Sequence, residues 1–444
     1  MTEMRAARHI ISTLQAAGHT AVLAGGCVRD HLLSHSPKDL DIATSATPDQ
    51  VESLFKKTVS VGKQFGVIVV LMDGHEFEVA TFRSDGSYTD GRRPDSVSFS
   101  SMEEDAKRRD LTINGMFRDP VSGHVFDFVD GQVDLERGII RLIGDPEDRI
   151  REDHLRMLRV VRFSSKFGFS IDPQTFEAVK MNAHRVMNVS AERIKAELDK
   201  MLLTSKPSVA IELLRESGLL KHFLPEVDCL WDCEQSPKWH SEGNCGIHSM
   251  MVLDATREKT DSLDTLWAAL LHDIGKPATS VVNEKGNITC HGHDKLGAEM
   301  TDAVMRRMKA SNDHREMVVS LVADHMKAGV ADEMKKATLR KFVAQDNFTE
   351  LMNLFEADCE SSRPADPERE DKKLDGVKLL KEFASTFEEP KALPEPLVTG
   401  KDLIALGLKP GPQFGVILDR VSEEQLEGTL SSKDEALEFV KALL

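Results

Sequence analysis

The stretch Val22-Leu23-Ala24-Gly25-Gly26-Cys27-Val28-Arg29-Asp30, followed by Lys38-Asp39-Leu40-Asp41-Ile42-Ala43, constrains this chain more than any other. The apolar run to Ala24 reads as a strand. The glycine pair reads as a turn whose backbone can come close to a ligand, and Val28 to Leu33 as the start of a helix. Backbone N–H groups at such a turn favour phosphate. A second strand then carries Asp39 and Asp41. Because strand side chains alternate with period two, both carboxylates face one side while Leu40 and Ile42 face the core. Two hard oxygen anions on one face suit magnesium, and phosphoryl transfer by a two-metal route needs carboxylates that hold both ions.

The neighbouring segments build a sheet around this pair. Residues 1 to about 20 show helical spacing of Ala6, Ile10, Leu14 and Ala17 and end at Gly18, while Thr47-Pro48 reads as a cap and first turn of a short helix to Lys57. Val67–Leu71 and Glu76–Phe82, separated by Asp73-Gly74, read as a hairpin extending the sheet that bears the aspartates. Glu78 on its second strand is a candidate third metal ligand, or a base for an attacking hydroxyl. Arg83 to Phe99 is polar and glycine-punctuated, a long loop in which Arg92 and Arg93 could reach phosphates. Met102 to Met116 reads as one helix with Asp110 and Asn114 four apart on a shared face and Arg109 beside them. Phe126–Val133 and Gly138–Ile143 read as a closing hairpin. From Arg151 to Phe167, Asp153, Arg156 and Arg159 recur every three residues along one stripe, and Leu155, Leu158 and Val161 along another. Aspartate and arginine together offer the acceptors and donors that a Watson–Crick edge needs.

Gly25-Gly26-Cys27-Val28-Arg29-Asp30 with Asp39-x-Asp41 resembles the opening of the class II tRNA nucleotidyltransferase and bacterial poly(A) polymerase family. Arg108-Arg109-Asp110-Leu111-Thr112-Ile113-Asn114-Gly115-Met116 resembles its ribose-selecting motif, Glu152-Asp153-His154-Leu155-Arg156 its base-reading motif, and Ala191-Glu192-Arg193-Ile194 the helix that follows. The resemblance implies that Gly25, Gly26 and Arg29 lie at the nucleotide, and that Arg109, Asp110 and Asn114 meet the triphosphate and ribose hydroxyls. It implies that Asp153 and Arg156 read the base, with Glu152 orienting them and Arg159 stacking or fixing the geometry. The loop from Arg83 to Phe99 corresponds to the family's flexible loop, associated with the final adenine. Two positions depart from the family: Gly115, where alanine is commoner and a glycine would loosen a helix, and His154, where proline is frequent.

In the second half, His248, His272-Asp273, His293, His325 and Asp358 fall on separate predicted helices and resemble the metal-dependent HD phosphohydrolase pattern, with His291 an alternative to His293. Imidazole with carboxylate suits a transition metal. A phosphomonoester or cyclic phosphodiester would be the natural target of such a centre. The proline- and charge-rich run from Ser361 to Lys373 reads as an exposed linker, and the end as two short helices hinged at Pro410-Gly411-Pro412, with Lys401 and Lys409 available to an RNA backbone.

At 444 residues the chain has room for two to four compact units. The expected organisation is a nucleotidyltransferase head over 1–140, a helical neck over 141–225, an HD-like domain over 226–370 and a helical tail over 371–444. The expected fold class is therefore α+β, with a mixed or antiparallel sheet in the head and helices throughout the rest. No apolar run approaches the roughly 20 residues of a membrane helix. The six cysteines include no Cys-x-x-Cys pair, which argues for reduced thiols in the cytoplasm. A net charge of −17 is unusual for an RNA-binding chain, but Arg141 to Lys166 concentrates seven basic residues that can form a local groove. The resemblance implies addition of CCA, or its terminal A, to tRNA from CTP and ATP with magnesium. Poly(A) polymerase is the alternative, and an HD-type phosphohydrolase with an RNA-binding head is an alternative of another class.

Overall fold

The structure is a computed structural model that describes every residue except 1, 38, 87, 89–90, 92–95, 285, 364–367 and 387–392, and the side chains of 368–374. Arg92 and Arg93 therefore lie outside the described residues. The chain divides into two compact units, Met1–Pro225 and Glu226–Leu444.

The first unit opens with α1 (Glu3–Ala16), whose Ala6, Ile10 and Leu14 are buried, then β1 (Ala21–Ala24), α2 (Gly26–Leu32), β2 (Ile42–Thr44) and α3 (Pro48–Leu54). Thr47 and Gln50 close a capping box on α3. β3 (Thr58–Val59), β4 (Val67–Met72) and β5 (His75–Thr81) follow, the last two joined by Asp73 and Gly74, both at positive φ, as a tight hairpin demands. With β6 (Arg83–Asp85), β7 (Val97–Phe99), α4 (Met102–Lys107), β8 (Phe117–Arg118) and β9 (Val125–Phe126), the head is complete. Seven strands pair in the order β3-β4-β5-β2-β1-β8-β9, with β2 and β5 parallel and the other pairs antiparallel.

The aspartates precede β2 instead of lying within it, although the alternation survives: Leu40 and Ile42 are buried and Asp39 and Asp41 exposed. The ends of the 83–99 segment form a two-stranded ribbon of β6 and β7. Met102–Met116 is not one helix. It breaks at Arg108, because Leu111 bridges Leu142 and Thr112 N–H donates to the Arg141 carbonyl at 3.0 Å, leaving only a 3-10 turn at Thr112–Asn114. Gly115 thus loosens no helix; a Cβ there would sit 2.7 Å from Val129 Cγ2, so close packing requires the glycine.

The predicted hairpin over 126–143 is replaced by α5 (Gly131–Arg137), which Asp127 initiates by accepting the N–H groups of Gly131 and Gln132 at 3.0 and 2.8 Å. Then β10 (Ile139–Ile140) pairs in parallel with a later strand, β11 (Ser170–Ile171). Between them, the helix expected from Arg151 is two helices, α6 (Pro146–Glu152) and α7 (Leu155–Phe167), because Asp153 adopts extended dihedrals. α8 (Pro173–Asn182), α9 (Ala191–Leu202) and α10 (Pro207–Glu216) complete the bundle, and α9 and α10 both pack on α7. Ser190 precedes α9 in an extended conformation and makes no side-chain cap bond to it.

The short helices α11 (Leu220–Phe223) and α12 (Pro225–Asp228) lead to the second unit. Its core is α13 (Cys245–Lys259), α14 (Leu263–Leu271), α15 (Lys276–Thr279), α16 (His293–Arg307), α17 (Asn312–Asp324), α18 (Lys336–Val343) and α19 (Phe348–Ser361), with a small hairpin of β12 (Val281–Val282) and β13 (Ile288–Thr289). α14 is buried from Thr265 to Leu271 and lies against α13, α17 and α19. The expected linker after Ser361 becomes α20 (Glu368–Ser385). The end holds three helices, not two: α21 (Gly400–Ala405), α22 (Pro412–Glu427) and α23 (Lys433–Leu443), around Leu403, Val421, Ala436 and Val440.

Candidate active sites

In the first unit a cleft of about 470 Å³ is lined by Gly25, Gly26, Asp39, Asp41, Arg109, Asp110, Asn114 and Arg159, among others. Gly25 holds φ +71°, ψ −127°, a conformation closed to side-chain-bearing residues, and its N–H donates to the Met116 carbonyl at 3.0 Å. The turn thereby places the start of α2 at the cleft. A polar chain crosses the cleft wall. Arg29 donates to Asp30 at 2.6 Å and to Asn114 Oδ1 at 2.5 Å, Asn114 Nδ2 donates to Asp110 Oδ1 at 3.2 Å, and Arg159 donates to Asp110 Oδ2 at 2.6 Å. Burial opposes the Asp110 charge, but Arg159, the Leu111 N–H and Asn114 outweigh it, so its carboxyl is held down at about 2. Arg109 is held by Asp105 at 3.0 Å and lies 4.9 Å over the Phe117 ring.

Asp39, Asp41 and Glu78 are the acidic groups of this region. Partial burial first, then the charges of Glu78 and Asp39, push the Asp41 carboxyl up, while Arg109 lowers it. Carboxylates that repel one another at a cleft suit a cation between them. Among the described residues, however, their oxygens do not converge within 4.8 Å; the triplets that do are all in the second unit.

The base-reading residues are placed otherwise than their spacing suggests. They form no free stripe, because the α6–α7 break gives each its own partner. Asp153 accepts from Arg193 at 3.0 Å, Arg156 donates to Glu152 at 2.5 Å and to the Arg149 carbonyl at 2.6 Å, and neither they nor Glu152 line the cleft. His154, where the family more often has proline, donates its backbone N–H to the Gly91 carbonyl at 3.3 Å, a bond that proline could not make. Two residues of the basic run, Arg162 and Lys166, line the cleft with Phe163 from one face of α7, and Arg29 lies 5.1 Å from the Phe163 ring. Phe163 alone carried no signal in the sequence, since an aromatic on an amphipathic helix reads as core.

In the second unit Asp273, His293, His325 and Asp358 line a cavity of about 410 Å³, and His248 and His272 lie buried behind it against Asp273 and Asp358. His272, His293 and His325 each place Nδ1 at 2.6–2.9 Å from a carbonyl three residues earlier, those of Ala269, Cys290 and Val322. A carbonyl only accepts, so each Nδ1 carries a proton and the nitrogen left to hold a metal is the inward-facing Nε2. His293 Nε2 and His325 Nε2 face one another at 3.3 Å, and His272 Nε2 is buried without a hydrogen-bond partner, 3.2 Å from Asp273 Oδ2. Burial and His272 push His325 down to about 4, which keeps it neutral. Facing lone pairs beside a buried carboxylate fit a metal ion. Asp273 is held far below the usual carboxylate range: burial opposes, but His272 and Lys276, the latter 2.7 Å away, prevail. His248 Nε2 lies 2.9 Å from Asp358, whereas His291 lines the cavity from an exposed position. Sequence reading missed His240 and Glu242, which join His248 in a third converging group.

Taken together, the cleft and the histidine centre define a nucleotidyltransferase-type head followed by an HD-type unit. Three family models match accordingly: the Poly A polymerase head domain over residues 21–141, the probable RNA and SrmB-binding site of polymerase A over 168–230, and the HD domain over 246–382. The CCA-adding enzyme of Levilactobacillus brevis is 33% identical over 438 residues, 98% of this chain and 96% of that protein. That of Bacillus pumilus is 42% identical over 269 residues, a match spanning 60% of this chain and only 62% of the relative's length. The crystal structure of the Bacillus stearothermophilus CCA-adding enzyme in complex with CTP superposes with a TM-score of 0.72 at 28% identity, covering 100% of this chain and 98% of that one. The chain belongs to the CCA-adding enzyme family.

Proposed function

We propose that this chain is a template-independent nucleotidyltransferase that adds CCA, or its terminal A, to the 3′ end of tRNA from CTP and ATP, releasing pyrophosphate. The observation that carries this reading is the full-length likeness to CCA-adding enzymes, with the two aspartates, the glycine turn and the Asp110–Asn114 pair all facing one cleft. Relatives matched along the whole chain are CCA-adding enzymes, which favours tRNA over the poly(A) polymerase alternative.

Asp39 and Asp41, with Glu78 nearby, would hold magnesium. Two such ions supply charge stabilisation to the α-phosphate, the attacking 3′-hydroxyl and the leaving pyrophosphate. The chain's own groups do the positioning. Gly25 and Gly26 bring backbone to the phosphates, and Arg29 and Arg109 offer guanidinium donors to the triphosphate. Asp110 and Asn114 present an acceptor and a donor to the ribose hydroxyls. Arg159 fixes Asp110 and carries α7 with it. Glu152 holds Arg156 from behind, so that Arg156 and Asp153 would read the base once they exchange their present partners. In this reading 1–140 is the head, 141–225 the neck, 226–370 the HD-like domain and 371–444 the tail.

The inward lone pairs of the second unit favour a further reading, a metal-dependent phosphohydrolase centre in which His248, His272, Asp273, His293, His325 and Asp358 would hold a transition metal. Asp41→Ala should abolish nucleotide incorporation; unchanged incorporation would sink the polymerase reading. His272→Ala with Asp273→Ala should abolish phosphatase activity and leave nucleotide addition nearly intact, and loss of both activities would overturn the assignment of separate domains.

A further inference from the structure

The second unit holds one buried carboxylate that is neither predicted from sequence nor part of the six-residue set. Glu242 has a side chain 1% exposed, and its Oε1 lies 2.7 Å from His240 Nδ1 and 2.9 Å from His248 Nδ1. Its Oε2 accepts the Arg363 N–H at 2.9 Å. The neighbouring Ser241 donates its N–H and hydroxyl to the Arg363 carbonyl at 2.8 and 2.7 Å. One carboxylate thus ties the 240–242 segment to α13, which carries His248, and to the residues just past α19, which carries Asp358.

The contrast with the other three histidines gives this contact a chemical meaning. His272, His293 and His325 orient their rings through neutral backbone carbonyls. His248 has an anion behind its ring, Glu242 Oε1 in ion-pair contact with Nδ1 at 2.9 Å without an aligned hydrogen bond, and its Nε2 is turned to Asp358 at 2.9 Å and Asp273 at 4.0 Å. A carboxylate behind a histidine fixes the tautomer and raises the donor strength of the opposite nitrogen more than a carbonyl does. A buried anion is also costly unless its partners repay it, so its retention here needs a task.

We infer that Glu242 is a positioning residue of the second-unit metal centre: it holds His248 with Nε2 directed at the ion and strengthens that ligand toward a divalent transition cation. The inference rests on the reading of that centre as a metal site. Its occupant should be a borderline cation that accepts imidazole with carboxylate, such as cobalt(II), nickel(II), zinc or iron(II).

Cobalt(II) is the probe. The full chain carries Asp39→Asn and Asp41→Asn in every arm, to silence the head, and cobalt affinity is read by competition with a chromophoric chelator while the visible spectrum reports ligation. Glu242→Gln keeps the shape and the acceptor oxygen but removes the charge; Glu242→Ala removes both. Affinity should fall by about 10-fold in the glutamine variant and by up to about 100-fold in the alanine variant, with a changed cobalt spectrum. Equal affinity and spectrum in the Gln variant and the chain with Glu242 intact would overturn the inference alone. Failure of the Glu242-containing chain to bind cobalt would overturn the metal reading and this inference with it.

Discussion

Arg159 grips Asp110 through Nε and Nη2, both 2.6 Å from the same carboxylate oxygen, and so joins α7 to the turn that carries Asn114. The Asp110 carboxyl lies at about 2 in the folded chain against an ordinary 3.8: burial raises it, and Arg159, the Leu111 N–H and Asn114 lower it further. A depressed carboxyl stabilises the fold above its unfolded value, and the contribution fades as pH falls from about 4 toward about 2. Its full size is about 2 kcal/mol. The three tryptophans, Trp231, Trp239 and Trp267, are all in the second unit. Far-UV circular dichroism follows urea unfolding of both units and tryptophan fluorescence that of the second, so the first unit's transition is the part of the dichroism change that fluorescence does not share. Asp110→Asn should be less stable than the parent at pH 6, and the gap should close as pH approaches 2. A gap independent of pH would contradict the assignment.

Arg149 is the buried fastener behind the base-reading residues. It donates to the carbonyls of Arg108 and Arg109 at 2.5 and 2.6 Å and pairs with Glu152. Arg149→Met would strand the Arg109 carbonyl and leave Glu152 and the Arg108 carbonyl to Arg156 alone, costing about 1–3 kcal/mol. The same denaturation measurement checks it, with a loss below about 1 kcal/mol standing against the account.

At Gly25 an added Cβ would meet Arg109 Nη1 at 2.8 Å in a backbone conformation that disfavours any side chain. Gly25→Ala should cost about 1–3 kcal/mol of strain and displace Arg109. Steady-state kinetics should show a raised KM for both CTP and ATP, since the turn and Arg109 precede any reading of the base.

Cys27 sits in the glycine turn yet should be inert. Burial and the Asp41 charge push its thiol up to about 11, so little thiolate forms near neutrality. Iodoacetamide at pH 8 should alkylate the half-buried Cys229 and Cys290 first and reach Cys27 only in urea, as mass spectrometry of peptides would reveal.

What sequence conveys about this molecule is mostly what local physics decides. The strand–turn–helix at Val22–Leu32 follows from an apolar run ending in glycines, and the β4–β5 hairpin from Asp73-Gly74. The six histidines and aspartates of the second unit converge because their helices pack as their apolar faces require. Local signals failed where tertiary pairing overrode them. The helical spacing of Asp110 and Asn114 persists, but Leu111 is pulled out of any helix by its bridge to Leu142. The three-residue rhythm of Asp153, Arg156 and Arg159 suggested one stripe, yet the break between α6 and α7 gives each a different partner. Glu242 carried no periodic signal at all, since it lies outside any helix and acts through His248.

The measurement that bears most directly on the account is the length of the product made from two tRNAs, one lacking its last three nucleotides and one ending in CC, each incubated with the purified chain and magnesium. CTP alone, ATP alone and both together are compared on a sequencing gel. The account predicts growth that stops after C, C and A with both nucleotides, or a single A added only to a tRNA already ending in CC. A long ladder with ATP on any RNA would contradict it in favour of poly(A) synthesis, and no extension under any condition would contradict the nucleotidyltransferase reading altogether.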